Sequence, residues 1–171
     1  MSGAATDSSL LGLLDAAGDD DLRDARALAW LLDPAASHGA GHTALNGLGV
    51  LLAGRGVPAL SQALACVPPP ACACAVRLRK GEVELVVTLP ALTLVLVWRS
   101  APAPYAGAIE FAAADGALAC GVARVPGLFP PETSTTFPIL LWPELGASLT
   151  RVTSQGEAGG LVDALLERLS S

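Results

Sequence analysis

The chain has 171 residues, a formal net charge of −6, 52% hydrophobic and 15% charged residues. This is apolar material for one domain with a moderate core, and it excludes a disordered or fibrous chain. Sixteen acids stand against ten basic residues, of which Lys80 alone is a lysine, so no broad phosphate-binding surface is available.

The longest strongly apolar run, residues 92–98 with only Thr93 interrupting it, falls far short of the roughly 20 residues a spanning helix needs. The opening MSGAATDSS lacks the basic and apolar parts of a secretion signal. A soluble cytoplasmic protein is the expectation, with no membrane span. Cys66, Cys72, Cys74 and Cys120 are accordingly expected as reduced thiols, Cys72 and Cys74 being too close in sequence for an easy mutual disulfide. The mean hydropathy of +0.53 is high for a monomer of this size. It has two readings, apolar surface covered by a partner or a general bias toward alanine.

In chain order, residues 9–17 form a short Leu-rich helix candidate, closed by Gly18. A firmer helix follows Asp19 and Asp20: Leu22, Ala25, Leu28, Ala29 and Leu32 recur at helical spacing, acids crowd the first turn, and Asp33-Pro34 stops the pattern. After a turn at 35–41, residues 42–53 read as a third helix through Leu45, Leu48, Leu51 and Leu52. Gly47 and Gly49 inside it weaken the helix and permit close packing. A short helix at 58–66, opened by Pro58, precedes the rigid spacer at 67–70.

From Cys74 the hydrophobic period changes from 3.6 to 2. Cys74, Val76, Leu78 and Lys80 fall on one face of a strand, with Ala75, Arg77 and Arg79 on the other. A turn at Lys80-Gly81 leads to a second strand at 82–89, and Pro90 to a third at 92–98. The third is apolar on both faces, which places it mid-sheet under helices on each side. Residues 104–114 read as a helix, 117–125 and 137–142 as strands separated by a loop at 126–136, and 156–169 as a closing amphipathic helix through Leu161, Val162, Leu165, Leu166 and Leu169. No internal repeat or domain boundary is visible, so residues 1–171 form a single domain.

Leu28-Ala29-Trp30-Leu31-Leu32-Asp33-Pro34, followed by Ser37-His38-Gly39 and a Leu-containing helix, resembles a branch of the PD-(D/E)XK nuclease superfamily. In that branch a very similar helix ending, an SHG turn and a second helix precede a β-meander. The likeness runs from residue 20 to residue 149, where Trp142-Pro143-Glu144-Leu145 resembles the end of the core. It implies an α/β, restriction-endonuclease-like fold: a central mixed sheet, built from a three-stranded meander, a crossover helix and two further strands, flanked by helices. Residues 1–19 are then an N-terminal extension and 150–171 a C-terminal helix.

The resemblance also implies a metal site, with an acid on the second strand and a (D/E)-x-K triplet on the third holding Mg²⁺ for phosphodiester hydrolysis. Glu84 stands at the first acid position. In Val97-Trp98-Arg99, Val97 takes the carboxylate position and Arg99 that of the lysine. A valine offers magnesium no oxygen, and a guanidinium stays protonated. Asp21 and Glu82 are the acids positioned to replace the lost one, in a rearranged site with Glu84 and Arg99. The competing reading puts Glu82 and Glu84 on a solvated or partner-facing strand surface.

Other constellations are weaker. His38, His42, Cys72 and Cys74 are donors of the types zinc prefers, without standard knuckle spacing. His38 also reads as a turn residue bonded to backbone. No G-x-S-x-G elbow and no phosphate loop occurs. Arg77, Arg79 and Lys80 form the only dense basic patch, which reads as solvent face or salt bridges more readily than as a phosphate site. Trp30, Trp98 and Trp142 lie in apolar runs and read as core or interface anchors.

The functional expectation is a catalytically inactive nuclease-like domain without a cofactor, serving as a protein-binding or structural subunit of a larger assembly. The alternative is a Mg²⁺-dependent nucleic-acid phosphodiesterase using Glu84, Asp21 and Arg99.

Overall fold

The computed structural model describes residues 20–66, 68–149 and 158–170. The helix expected at 9–17 lies outside them. Helix α1 (Asp20–Leu32) carries Asp20 and Asp21 in its first turn, where the helix dipole favours them, and buries Ala25, Leu28, Leu31 and Leu32. Asp33 ends it with an Asx turn, its Oδ1 accepting the Ala35 N–H at 2.9 Å. Helix α2 (Thr43–Gly54) and the short α3 (Ala59–Leu64) follow.

Strands β1 (Ala73–Arg79), β2 (Glu82–Leu89) and β3 (Leu92–Arg99) pair antiparallel. β4 (Leu118–Ala123) and β5 (Ile139–Leu141) then add in parallel, in the order β1-β2-β3-β4-β5, so β3 is central. The β1–β2 hairpin turns on Lys80 (φ +53°) and Gly81 (φ +81°), two successive left-handed residues as a tight twisted hairpin requires. Lys80 therefore does not continue the face of Cys74, Val76 and Leu78 as its alternation predicts. Its ammonium reaches the Phe111 ring instead, 3.4 Å from the centroid.

The crossover from β3 to β4 carries α4 (Ala108–Ala114), shorter than the sequence pattern predicts because Gly107 takes φ +83° and only the residues after it are helical. Residues 126–136 are not simply a loop. Pro131 opens α5 (Pro131–Thr136), with Glu132 in its first turn. The last strand is likewise only Ile139–Leu141, since Trp142 starts a further helix, α6 (Trp142–Leu149), which the alternation does not foresee. Helix α7 (Ala158–Ser170) closes the described chain and buries Val162 and Leu165.

The sheet has two unequal cores. Val83, Leu85, Val87, Leu94, Leu96, Trp98, Cys120 and Val122 face α1, α2, α6 and α7 in the larger one. Trp98 and Trp142 meet edge to face within it, ring centroids 5.3 Å apart. Val95, Val97, Ala119 and Ala123 face Ala108, Ile109 and Ala112 of α4, with Phe129, in the smaller one. Gly47 allows α2 to approach α6 closely, for a Cβ there would lie 2.5 Å from the Ser148 carbonyl oxygen. Among the described residues no helix is long and apolar enough to cross a membrane.

Candidate functional site

The side of the sheet covered by α4 holds every strand residue singled out for magnesium chemistry. One rung of paired residues runs across it: Arg77 opposite Glu84, Glu84 opposite Val97, Val97 opposite Gly121 and Gly121 opposite Ile139. Val97 thus lies beside Glu84, the juxtaposition the superfamily pattern implies for its two acids. Val97 is fully buried and packs with Ile109 and Phe129.

Glu84 is completely buried as well. Arg77 Nε donates to its Oε2 at 2.6 Å, and Arg79 Nε lies 3.1 Å from Oε1. Arg79 is shared, its Nη1 donating to Asp115 at the end of α4 at 2.8 Å. That hydrogen bond holds the Arg79 guanidinium above its ordinary pKa, with the Glu84 and Asp115 charges adding to the effect. Glu84 therefore meets the basic patch of β1 through the rung, and the arginines neutralise a carboxylate that would otherwise stand charged in the small core.

Glu82, one pleat earlier, is held differently. Its Oε1 accepts Arg99 Nη1 at 2.8 Å, and its Oε2 accepts the Ala108 N–H at 3.1 Å; the Ala106 N–H lies 3.4 Å from Oε1. The carboxylate sits where the first amides of α4 point, and a helix start favours negative charge. Arg99 is 6% exposed; it also donates to the Ala103 carbonyl and lies 5.3 and 5.6 Å from the Tyr105 and Phe129 ring centroids. Next to it Tyr105 Oη donates to Glu110 at 2.6 Å, and Thr133 Oγ1 donates to the same carboxylate at 2.6 Å, tying α5 to α4. Burial works against the Glu110 carboxylate, but these bonds bring it below its ordinary pKa.

The solvated or partner-facing surface expected for Glu82 and Glu84 is corrected by this geometry. Helix α4 covers that side of the sheet, and three arginines, Arg77, Arg79 and Arg99, replace water as partners of the acids. Nor does Glu84 join Asp21 and Arg99 in the recess those two share. Asp21 and Arg99 line a recess of about 130 Å³ with Lys80, Glu82, Trp98 and Pro104, and Glu84 is not among its walls.

At the position the resemblance would assign to a metal, the residues do not fit magnesium. Mg²⁺ demands near-octahedral oxygen ligation, usually from one or two carboxylates and several waters. Here the second acid is an aliphatic side chain, the first is turned to two guanidiniums, and Arg99 is paired to Glu82. The arrangement suits charge neutralisation inside a core and positioning of α4.

The zinc candidates separate. His38 is 1% exposed, with Nε2 at 3.0 Å from the Trp30 carbonyl and Nδ1 accepting the Ala40 N–H at 3.0 Å, so both ring nitrogens serve the turn. It also stacks edge-on against Trp30, centroids 4.9 Å apart. His42 Nε2 bonds the Pro70 carbonyl at 3.0 Å. Cys72 and Cys74 do meet, sulfur to sulfur, at 4.0 Å. Among the described residues no group of three or more His, Cys, Asp or Glu is placed to hold a metal ion.

Sequence reasoning missed two contributors. Tyr105 falls inside the helix expected at 104–114 but precedes α4. Asp115 follows the helix expected at 104–114, and the two strands and one helix between it and Arg79 in the chain hide the contact. Comparison with protein-family models, with curated proteins and with solved structures gives no match.

Proposed function

We propose that this chain is a catalytically silent domain of the PD-(D/E)XK nuclease type, retained as a protein-binding or structural subunit of a larger assembly. The observation that carries the reading is the rung Arg77-Glu84-Val97, where the paired acids of a nuclease would stand. One acid is replaced by a buried valine and the other is ion-paired with two arginines. The resemblance of LAWLLDP and SHG to the superfamily supports the ancestry, and the order of elements agrees with it.

A role in contact is supported by apolar side chains left outside the two cores. Val50, Leu78, Phe111 and Val125 are 70%, 60%, 41% and 50% exposed. Leu78 lies on β1, an edge strand whose outer backbone groups offer a template for pairing. Four free thiols suit a reducing, cytoplasmic setting.

A cleavage assay tests the catalytic half: single- and double-stranded DNA and RNA with Mg²⁺ or Mn²⁺, wild type against Glu84→Ala. No cleavage by wild-type protein supports the reading; cleavage that Glu84→Ala abolishes overturns it.

A second reading, a metal-dependent phosphodiesterase, has one observation in its favour: Asp21, Glu82, Lys80 and Arg99 line the same recess. It requires Glu82 to leave Arg99 and the α4 amides for a cation. Cleavage lost on Asp21→Ala but kept in Glu84→Ala would select it.

A further inference from the structure

Cys72 and Cys74 lie at the start of β1, against the larger core near the end of α1. Residues two apart in an extended segment point to the same side, with Cα atoms about 6.6 Å apart. That is near the upper limit for a disulfide, and the parallel Cβ atoms stand further apart than the roughly 3.5–4.5 Å a disulfide spans. The side chains nevertheless lean together until the sulfurs are 4.0 Å apart. This spacing is too long for an S–S bond of about 2.05 Å. It matches two thiolates sharing one ion: with metal–sulfur bonds of about 2.3 Å, 4.0 Å corresponds to an S–ion–S angle of about 120°.

We propose that Cys72 and Cys74 form a two-thiolate chelate for a soft monovalent cation, Cu(I). The choice of ion follows from the donors. Zinc in a structural site takes four ligands, usually nitrogen and sulfur. The nearest imidazoles by sequence are committed to backbone, His38 through both nitrogens and His42 through Nε2. Cys66 sits away from the pair, its thiol donating to the Ala63 carbonyl at 3.7 Å. A soft ion is satisfied by thiolate ligands alone and tolerates low coordination.

The pair is also prepared for it. The contact with Cys74 draws the Cys72 thiol below its ordinary pKa, against burial and the Asp33 charge, while the same contact pushes Cys74 up. Uptake of Cu(I) by the two thiols forms two Cu–S bonds and releases the thiol protons to solvent, with no change of oxidation state. The site stands independently of the nuclease-like reading, since it lies on the opposite face of β1 from Arg77 and Arg79.

The test is an anaerobic titration of the reduced full chain with Cu(I) against a chromophoric Cu(I) chelator, bathocuproine disulfonate. Wild type is expected to hold one Cu(I) per chain, Cys66→Ser and Cys120→Ser to keep it, and Cys72→Ser and Cys74→Ser each to weaken it by about 100-fold or more. Far-ultraviolet circular dichroism checks that the variants fold. X-ray absorption of the loaded protein reads the ligands without relying on any variant, and copper surrounded by sulfur alone is expected. Equal competition by wild type and the Cys72→Ser/Cys74→Ser double variant overturns the proposal, as does binding lost on Cys66→Ser or nitrogen ligation of the copper.

Discussion

The pair formed by Glu82 and Arg99 gives the account its most exacting energetic test. Both side chains are nearly buried, at 8% and 6% exposure, with nitrogen and oxygen 2.8 Å apart. Replacing Arg99 by methionine keeps the length and removes the charge, leaving the carboxylate the Ala108 and Ala106 amides as remaining donors. Breaking one side of a buried pair costs about 3–5 kcal/mol. Because those amides persist, the expected loss is about 3 kcal/mol, which for a chain of this length lowers Tm by about 6–12 °C. Glu82→Gln strands Arg99 but keeps an oxygen for the α4 amides, and about 2–3 kcal/mol is expected. The double variant should cost about 2 kcal/mol less than the sum, since the second change removes a group already orphaned. Guanidinium denaturation followed by tryptophan fluorescence, to which buried Trp98 and Trp142 contribute, measures all four proteins. Additivity within about 0.5 kcal/mol would refute the claim that these two groups are held for each other.

Val97→Glu sets a second carboxylate opposite Glu84 in a fully buried position. It should destabilise the fold by about 3 kcal/mol or more at neutral pH. The new carboxyl's pKa is raised on folding, so the loss should shrink as pH falls toward its ordinary value; denaturation at two pH values reads this, and added Mg²⁺ should not restore stability. Arg168→Ala removes the guanidinium that donates to buried Asp24 at 2.8 Å. Burial already raises the Asp24 pKa and Arg168 opposes it. Without Arg168 the folded carboxyl rises further above its unfolded value near 3.8, so the cost, about 1–3 kcal/mol, should be absent at low pH and grow as pH climbs through the folded pKa. Gly47→Ala should cost about 1–3 kcal/mol in thermal unfolding, because its Cβ meets the Ser148 backbone carbonyl and α2 must move off α6.

The elements legible in the sequence are those whose periodicity is undisturbed. Helix α1 announces itself through acids before Leu28, Ala29 and Leu32 and a stop at Asp33-Pro34, and its observed limits fall within a residue of the pattern. The meander is equally plain, since β2 alternates and β3 does not, and the central place of β3 follows from its two apolar faces. The second half is harder to read because short elements leave no full period. Helix α6 begins on a tryptophan that completes an apolar run, and its one signal is Pro143-Glu144. Glu144 Oε2 accepts the Leu141 N–H at 3.0 Å, which ends the strand and starts the helix. The α4 boundary depends on the left-handed Gly107, which composition does not reveal.

The candidate site was legible in its parts and not in its pairings. Alternation alone places Arg77, Arg79, Glu82, Glu84, Val97 and Arg99 on faces of known strands. It does not say that α4 closes over that side, and burial of the acids depends on that cover. Glu82 lies opposite Arg79 in register, yet its side chain goes to Arg99 and Arg79 goes diagonally to Glu84. Side-chain reach decides such choices, and a guanidinium spans more than one pleat.

A cation-binding measurement addresses the central claim most directly: Mn²⁺ titrated into the chain and followed by electron paramagnetic resonance, for wild type, Glu84→Ala and Glu82→Ala. The account predicts no stoichiometric site at micromolar Mn²⁺ in any of the three proteins. One tightly bound ion per chain in wild type, lost when Glu84 or Glu82 is removed from a folded variant, would contradict it.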